Sequence, residues 1–381
     1  MVVNQIAKLI NEIAQETIGE SAVVQEDLSN IIDVGKAIFD NTSVDNYAKA
    51  MIDRIGRVIY VDRTYGSNAP NILRDSWEYG SALQKVRCQI PDATENDTWS
   101  LTDGTSYDPF VFTKPDITVK YFNSKNTFEV PMSFTELQMR ESVLSAESMN
   151  RFVSMIENRI RMKMTLSTDS MIMRTINNLI AEKIASNNNV VNILSLYNTA
   201  KGATLTAAEA IINSDFLRYA AEIILNYQKY ITRASMLFNN DGYVTFTPRD
   251  RQRLVMLQSF MTSMIVNMQS DIYHNELVSI DGYSTVPYWQ GSGTSDAYEF
   301  DEVSTINVKT ASNGTTVNKI GIIGVLFDIE AACVCNENYR VTSIYNPKAE
   351  FWNYFYKFDC MYLNDLAENC IVFTVEDTTA P

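Results

Sequence analysis

Residues Val143 to Ile184 contain neither glycine nor proline, and the nearest such breakers are Pro131 upstream and Gly202 downstream. Nothing local forces a helix to stop inside that window. Apolar side chains fall at Met149, Phe152, Val153, Ile156, Ile160, Met164, Met171, Ile172, Ile176, Leu179, Ile180 and Ile184. Most of the steps are three or four residues, the period of an amphipathic helix. Arg151, Arg159, Arg161, Lys163, Arg174 and Lys183, interleaved with Glu147, Glu157, Asp169 and Glu182, read as its solvated face. At about 1.5 Å per residue the helix would be on the order of 60 Å long. Ordinary globular helices run about three turns, so this one reads as a spine. Its weak point is Thr165 to Ser170, where hydroxyl side chains can compete for backbone carbonyls and bend the helix.

The other 340 or so residues must supply what such a helix packs against. A chain of 381 residues, 46% apolar and 20% charged, can bury a large core in one elaborate domain or two subdomains. No apolar run is long enough to cross a membrane, and the N-terminus lacks the basic start and apolar run of a signal peptide. Synthesis in a cytoplasm is expected. The five cysteines, Cys88, Cys333, Cys335, Cys360 and Cys370, are odd in number and scattered, and they read as buried free thiols. The net charge of −15 argues against a protein that grips phosphates, though not against one that encloses nucleic acid without adhering to it.

Taken in order, residues 1–62 show three short helical stripes, among them Val2, Ile6, Leu9 and Ile13. None is long enough to stand alone in water, so an arm and a helical cap on the same subunit are both consistent with it. Beyond a turn-rich boundary from Tyr65, Val86, Cys88 and Ile90 alternate with Lys85, Arg87 and Gln89, as in a half-buried strand. Ile117, Val119 and Tyr121 alternate likewise, which predicts a long hairpin. Between the two lies Pro91 to Pro109, a polar excursion with five acidic residues and no basic one. Such length is functional or mobile. Phe128, Val130, Met132 and Phe134 alternate in the next strand, and Pro131 either makes it an edge strand or marks its end.

After the spine, Thr206-Ala-Ala-Glu209 matches a capping box, and Phe216, Ala220, Ile223, Ile224 and Tyr227 continue as a helix face. Thr247-Pro248 reads as the start of another helix with Leu254, Leu257, Met261, Met264, Ile265 and Met268 as its stripe. Pro287 to Asp301 reads as a flexible loop. From Ile306 onward strands dominate, including the aromatic FWNYFYKF and the closing NCIVFTVE.

The sequence offers little catalytic chemistry. A Ser-His-Asp or Cys-His centre would need the lone His274, which sits in a polar setting with no motif around it. No phosphate-cradling glycine motif occurs. Gly321 and Gly324 lie in an apolar run suited to close backbone packing. Asp328 with Glu330 is a carboxylate pair without specificity in so acidic a chain. No catalytic residue, cofactor or metal ligand is assigned.

The order of these elements carries a resemblance: helical arm, long hairpin, edge strand, spine helix, mixed helical region, late strands. The segment IGIIGVLFDIEAACVCNENYRVTSIYNPKAEF, Ile320 to Phe351, and the phrase SIDGYSTVPYWQG, Ser279 to Gly291, are similar to passages in the major capsid proteins of tailed bacteriophages. The resemblance implies an α+β chain with the Hong Kong 97-type fold. It would divide into an N-terminal arm (1–64), an E-loop hairpin (65–126), a P-domain with the spine helix (127–202 and 336–381) and an A-domain (203–335). It implies a structural head protein, not an enzyme, that assembles with itself as hexamers and pentamers of an icosahedral virion shell. Assembly would take place in the host cytoplasm with a portal, and any scaffolding would be a separate protein or absent. The shell would enclose double-stranded DNA without sequence-specific binding. Trp99, Tyr107, Phe110 and Phe112 are the candidate inter-subunit anchors of the hairpin, against the plainer reading of a mobile surface loop. An encapsulin-type compartment protein is the alternative within that fold, and an acidic carbohydrate-active enzyme is the alternative outside it.

Overall fold

A computed structural model describes residues 66–67, 69–74, 83–91, 93, 95–110, 112–135, 146–268, 282–290, 299–312 and 314–377. The expected N-terminal arm and His274 lie outside the described residues. The spine is a single helix, α1 (Ala146–Ala185), of 40 residues. Ile160, Met171, Ile172, Ile176, Leu179 and Ile180 are buried along it, as their spacing requires. The TLSTDS segment does not interrupt it. Thr165, Ser167 and Thr168 donate their hydroxyls to the carbonyls of Arg161, Lys163 and Met164, each one turn back. The helix thus absorbs these side chains instead of breaking at them.

Two sheets pack on α1. The first has four strands in the order β1 (Leu73–Arg74), β11 (Ala332–Asn346), β12 (Phe351–Asn364) and β4 (Lys125–Thr135). β4 is indeed an edge strand, so Pro131 removes no ladder bond from an interior position. Asp359 on β12, almost fully buried, pairs with Arg340 on β11 and with Lys125 on β4, and accepts a 2.7 Å hydrogen bond from Thr127. One carboxylate therefore clamps three strands.

The second sheet has the order β5 (Val190–Asn192), β13 (Cys370–Thr374), β10 (Ile322–Asp328), β6 (Gln252–Leu257) and β7 (Tyr283–Val286). Every residue of β10 and β13 is buried, as in a strand covered on both faces, and α1 and α2 both pack against β13. Helices α2 (Ile193–Lys201), α3 (Ala207–Ala210), α4 (Ser214–Tyr230), α5 (Gln258–Met268) and α6 (Phe300–Val303) and the hairpin β8 (Ile306–Lys309) with β9 (Thr316–Lys319) complete this half.

Three sequence readings fail here for identifiable reasons. Leu254 and Leu257 belong to strand β6, not to an α-helix from Pro248; a single 3-10 turn, Arg249–Arg251, follows the proline, and the α-helix begins only at Gln258. A strand buried on both faces has no period of two, so its apolar run can mimic helical spacing. The capping box at Thr206 forms, but it opens only the four-residue α3, and Asn213 caps a second start at α4. The apolar face from Phe216 to Tyr227 is therefore that of α4. The loop from Pro287 is pinned at its start, since Trp289 is buried and donates its indole N–H to the Ile322 carbonyl at 2.7 Å. Asn177 on α1 donates to the Trp289 carbonyl at 2.6 Å.

The solvated face of α1 is also corrected at its C-terminal end. Glu182 is buried and accepts from the Ala311 and Ser312 backbone N–H groups, holding the β8–β9 turn. Lys183 is 0% exposed and donates to Asn240 Oδ1 at 2.8 Å. Burial holds its ammonium below the ordinary lysine value of 10.5, against a weaker opposing effect of Cys370 and Asp241. A lowered folded-state value means that the unfolded chain binds the proton more tightly. Stability then rises with pH up to about 10.5 and is reduced as pH falls through the folded value. Lys183→Met should be neutral or stabilising by about 1–2 kcal/mol at pH 7. Its advantage should shrink as pH approaches 10.5. Urea unfolding of both proteins between pH 7 and 10.5 checks this; an advantage that stays constant with pH contradicts it.

Candidate inter-subunit ribbon

Strands β2 (Leu83–Cys88) and β3 (Ile117–Phe122) pair antiparallel from Leu83↔Phe122 to Cys88↔Ile117. Among the described residues, neither is hydrogen-bonded to a strand of another sheet. The expected hairpin is thus present, but its faces are reversed. Lys85, Arg87, Thr118 and Lys120 point toward the body, while Val86, Cys88, Ile90, Ile117, Val119 and Tyr121 are exposed. The side read as the buried one from its apolar residues is the open one.

What the cations meet explains the reversal. Lys85 Nζ lies 2.8 Å from Asp365 Oδ2 and also bonds Glu368, with Glu330 at 3.3 Å. Lys120 pairs with Asp241 and, at 3.2 Å, with Asp365 Oδ1. Arg87 pairs with Glu368, donates to the Ala367 carbonyl at 2.9 Å and lies over the Tyr243 ring. The Tyr243 hydroxyl donates to Thr118 at 3.0 Å. Burial alone would lower the Lys85 and Lys120 ammonium groups, but bonds to Asp365 and Glu368 for the first, and to Asp241 and Asp365 for the second, raise both above the ordinary lysine value. Asp365 is the converse case. Its burial pushes the carboxyl up, and Lys85, the Ala367 N–H and Lys120 outweigh this and hold it below the usual aspartate value. The acidic partners come from distant segments, which sequence spacing cannot reveal. The available signal was that basic residues of both strands share one ribbon face.

The tip spans residues 89–116 and places all four predicted anchors in solvent. Trp99 is 100% exposed, Phe110 88% and Phe112 84%. Tyr107, half exposed, also accepts a hydrogen bond from the Thr102 backbone N–H with its hydroxyl, so it shapes the tip as well. Together, the tip and the outward ribbon face display apolar side chains, set at the tip among acidic ones, that the other described residues leave exposed. Surfaces of that kind mark sites of protein association.

The comparisons agree with an assembling protein. The family model of the Phi29-like phage major capsid protein matches residues 6–374. The chain belongs to that family. Its function is that of a phage major capsid protein, a structural component of the capsid and not an enzyme. No curated protein sequence matches it. Among solved structures it resembles the capsid of Staphylococcus phage Andhra, with a TM-score of 0.59 and 10% identity over 86% of this chain and 87% of that one. It also resembles a chain in the structure of the head fiber and inner core protein gp22 of native bacteriophage P68. There the TM-score is 0.54 with 10% identity over 84% of this chain and 87% of that one. At such identity the likeness is one of fold.

The other residues singled out in this capsid protein are accounted for by packing. Cys333, Cys335, Cys360 and Cys370 are buried, whereas Cys88 is exposed on the outward ribbon face, against expectation. Burial pushes the Cys333 and Cys370 thiols up to about 11 and Cys360 to about 12, so they are poor nucleophiles at neutral pH. Asp328 and Glu330 are not a catalytic pair; both face Arg251. Among the described residues no cluster could hold a metal ion, and no helix is long and apolar enough to cross a membrane.

Proposed function

We propose that this major capsid protein has the Hong Kong 97-type division of labour and builds a closed icosahedral shell of its own hexamers and pentamers. The ribbon β2–β3 is the E-loop, laid on a neighbouring subunit. Helix α1 and the four-stranded sheet make the P-domain of residues 127–202 and 336–381, and the five-stranded half makes the A-domain of residues 203–335. Strands β5 and β13 cross that division by pairing in the five-stranded sheet. One observation carries the reading. The ribbon turns its charged face to its own subunit and its apolar face, with Trp99, Phe110 and Phe112, to solvent. A second copy of the chain is the partner that a repeated contact requires, and closure is what keeps such a contact from growing into a fibre.

The shell would form in the bacterial host cytoplasm, with a portal and any scaffolding supplied by other proteins. It would enclose double-stranded DNA without gripping it, as a chain with net charge −15 should. The test replaces Asn96 to Ser106 with a short Gly-Ser turn. Far-UV circular dichroism and solubility should stay nearly unchanged while shell yield by electron microscopy falls about tenfold or more, as expected when an interface anchor is lost. Normal shells of unchanged thermal stability would show that the tip is a mere surface loop.

A further inference from the structure

We propose that Asp365 is the positioning residue that aims the ribbon, acting as the shared counter-ion of Lys85 and Lys120 on its two strands. The inference rests on the ribbon being an assembly element, but it concerns the free subunit before any neighbour arrives. Lys85 and Lys120 are direct cross-strand partners. Like charges opposite each other weaken a two-stranded ribbon unless an anion sits between them. Asp365 supplies it, giving Oδ2 to Lys85 and Oδ1 to Lys120. Its side chain is 1% exposed.

The carboxylate is also fixed in direction. Asp365 N–H donates to the Ala331 carbonyl at 2.8 Å, and Ala367 N–H donates to Asp365 Oδ1 at 3.1 Å. This turn joins β12 of one sheet to β13 of the other, so the ribbon is referred to the junction of the two sheets. Glu368 and Glu330 add to the field at Lys85, and Asp241 to that at Lys120; Glu330 is itself shared with Arg251. None of these bridges both strands.

The consequence is directional. A ribbon held by apolar packing would lie with its apolar face down on its own subunit. Here the cations are held inward, which leaves the apolar face outward. An undocked two-stranded ribbon is marginal, so loss of the clasp should loosen the ribbon itself.

Amide hydrogen exchange on the full-length unassembled protein tests this. In Asp365→Asn, exchange of residues 84–88 and 117–122 should rise about tenfold, while β10 and β13 stay unchanged. The double variant Lys85→Met/Lys120→Met, which also gives up the contacts with Glu368, Glu330 and Asp241, should give a rise at least as large and keeps the turn's own sequence should Asp365→Asn disturb it. Adding Asp365→Asn to the lysine variant should raise exchange no further, because a shared counter-ion can be lost only once. Unchanged ribbon exchange in the lysine variant, or effects that multiply on combination, would overturn the proposal. Since no neighbour is present in this experiment, its result stands apart from whether the tip proves to be an assembly element.

Discussion

Gly321→Ala is expected to cost about 3–5 kcal/mol, a large share of the stability of a domain. Gly321 has φ of +81°, where an L side chain is strained. A Cβ there would also overlap the Val375 carbonyl oxygen and come within 3.1 Å of Glu376 Cγ. The Val375 carbonyl has no cheap way out. Val375 N–H donates to the Gly321 carbonyl at 2.7 Å, and Gly321 N–H donates to the buried Ser304 hydroxyl at 3.0 Å, so the backbone is fixed from both sides. Gly324 is the useful comparison. Its added Cβ would overlap the Met256 side chain, which can shift, and meets backbone only at 3.1 Å from the Val255 carbonyl oxygen; Gly324 is also not among the glycines with positive φ. Gly324→Ala should therefore cost less, about 1–3 kcal/mol. Urea unfolding of the unassembled variants gives both numbers. A larger loss at Gly324 than at Gly321 would refute this account of the crowding.

The second large effect belongs to assembly. Val119 stands at the middle of the outward ribbon face, opposite Val86, with Ile117 and Tyr121 flanking it on the same strand. An aspartate at position 119 stays in water in the free subunit, and a cross-strand change of this kind costs at most about 1 kcal/mol. In a shell that covers the ribbon it must be buried unpaired, which costs several times more. Val119→Asp should thus leave folding intact and weaken assembly by about a hundredfold or more, equivalent to roughly 3 kcal/mol per contact. Cys88 reports on the same face without any substitution. A thiol reagent at neutral pH should label it in the free subunit, leave the four buried thiols alone, and lose access to it once shells form. Shells of Val119→Asp that assemble normally, with Cys88 still open to reagent, would remove the outward face from the interface.

How much was legible in the sequence differs by element. The spine was, because most of its apolar steps are three or four residues and no breaker contradicts it. So was the edge strand with Pro131, since proline lacks the N–H that an interior position would need. The ribbon was legible as a hairpin, and its exposed tip aromatics were found. Its orientation was read backwards, on the rule that apolar residues face inward. That rule assumes a lone subunit, whereas a surface destined for another copy can invert it. Lys183 and Glu182 were misplaced for a related reason: helical spacing places a charge on a face but does not say what else will pack there.

What the sequence determined by itself was local and periodic: the long helix, the alternating late strands, and the glycines set for close approach. The order of these elements along the chain was enough to point to the capsid family. The tertiary structure decided everything that depends on partners far apart in the chain. It made β6 a central strand, because β10 and β7 supply its hydrogen bonds on both sides. It gave the ribbon its direction, because Asp365 is 280 residues from Lys85 and 245 from Lys120. Periodicity reports which side of an element is apolar; only the assembled fold, through charges brought together across such distances, decides which side is turned away from the subunit.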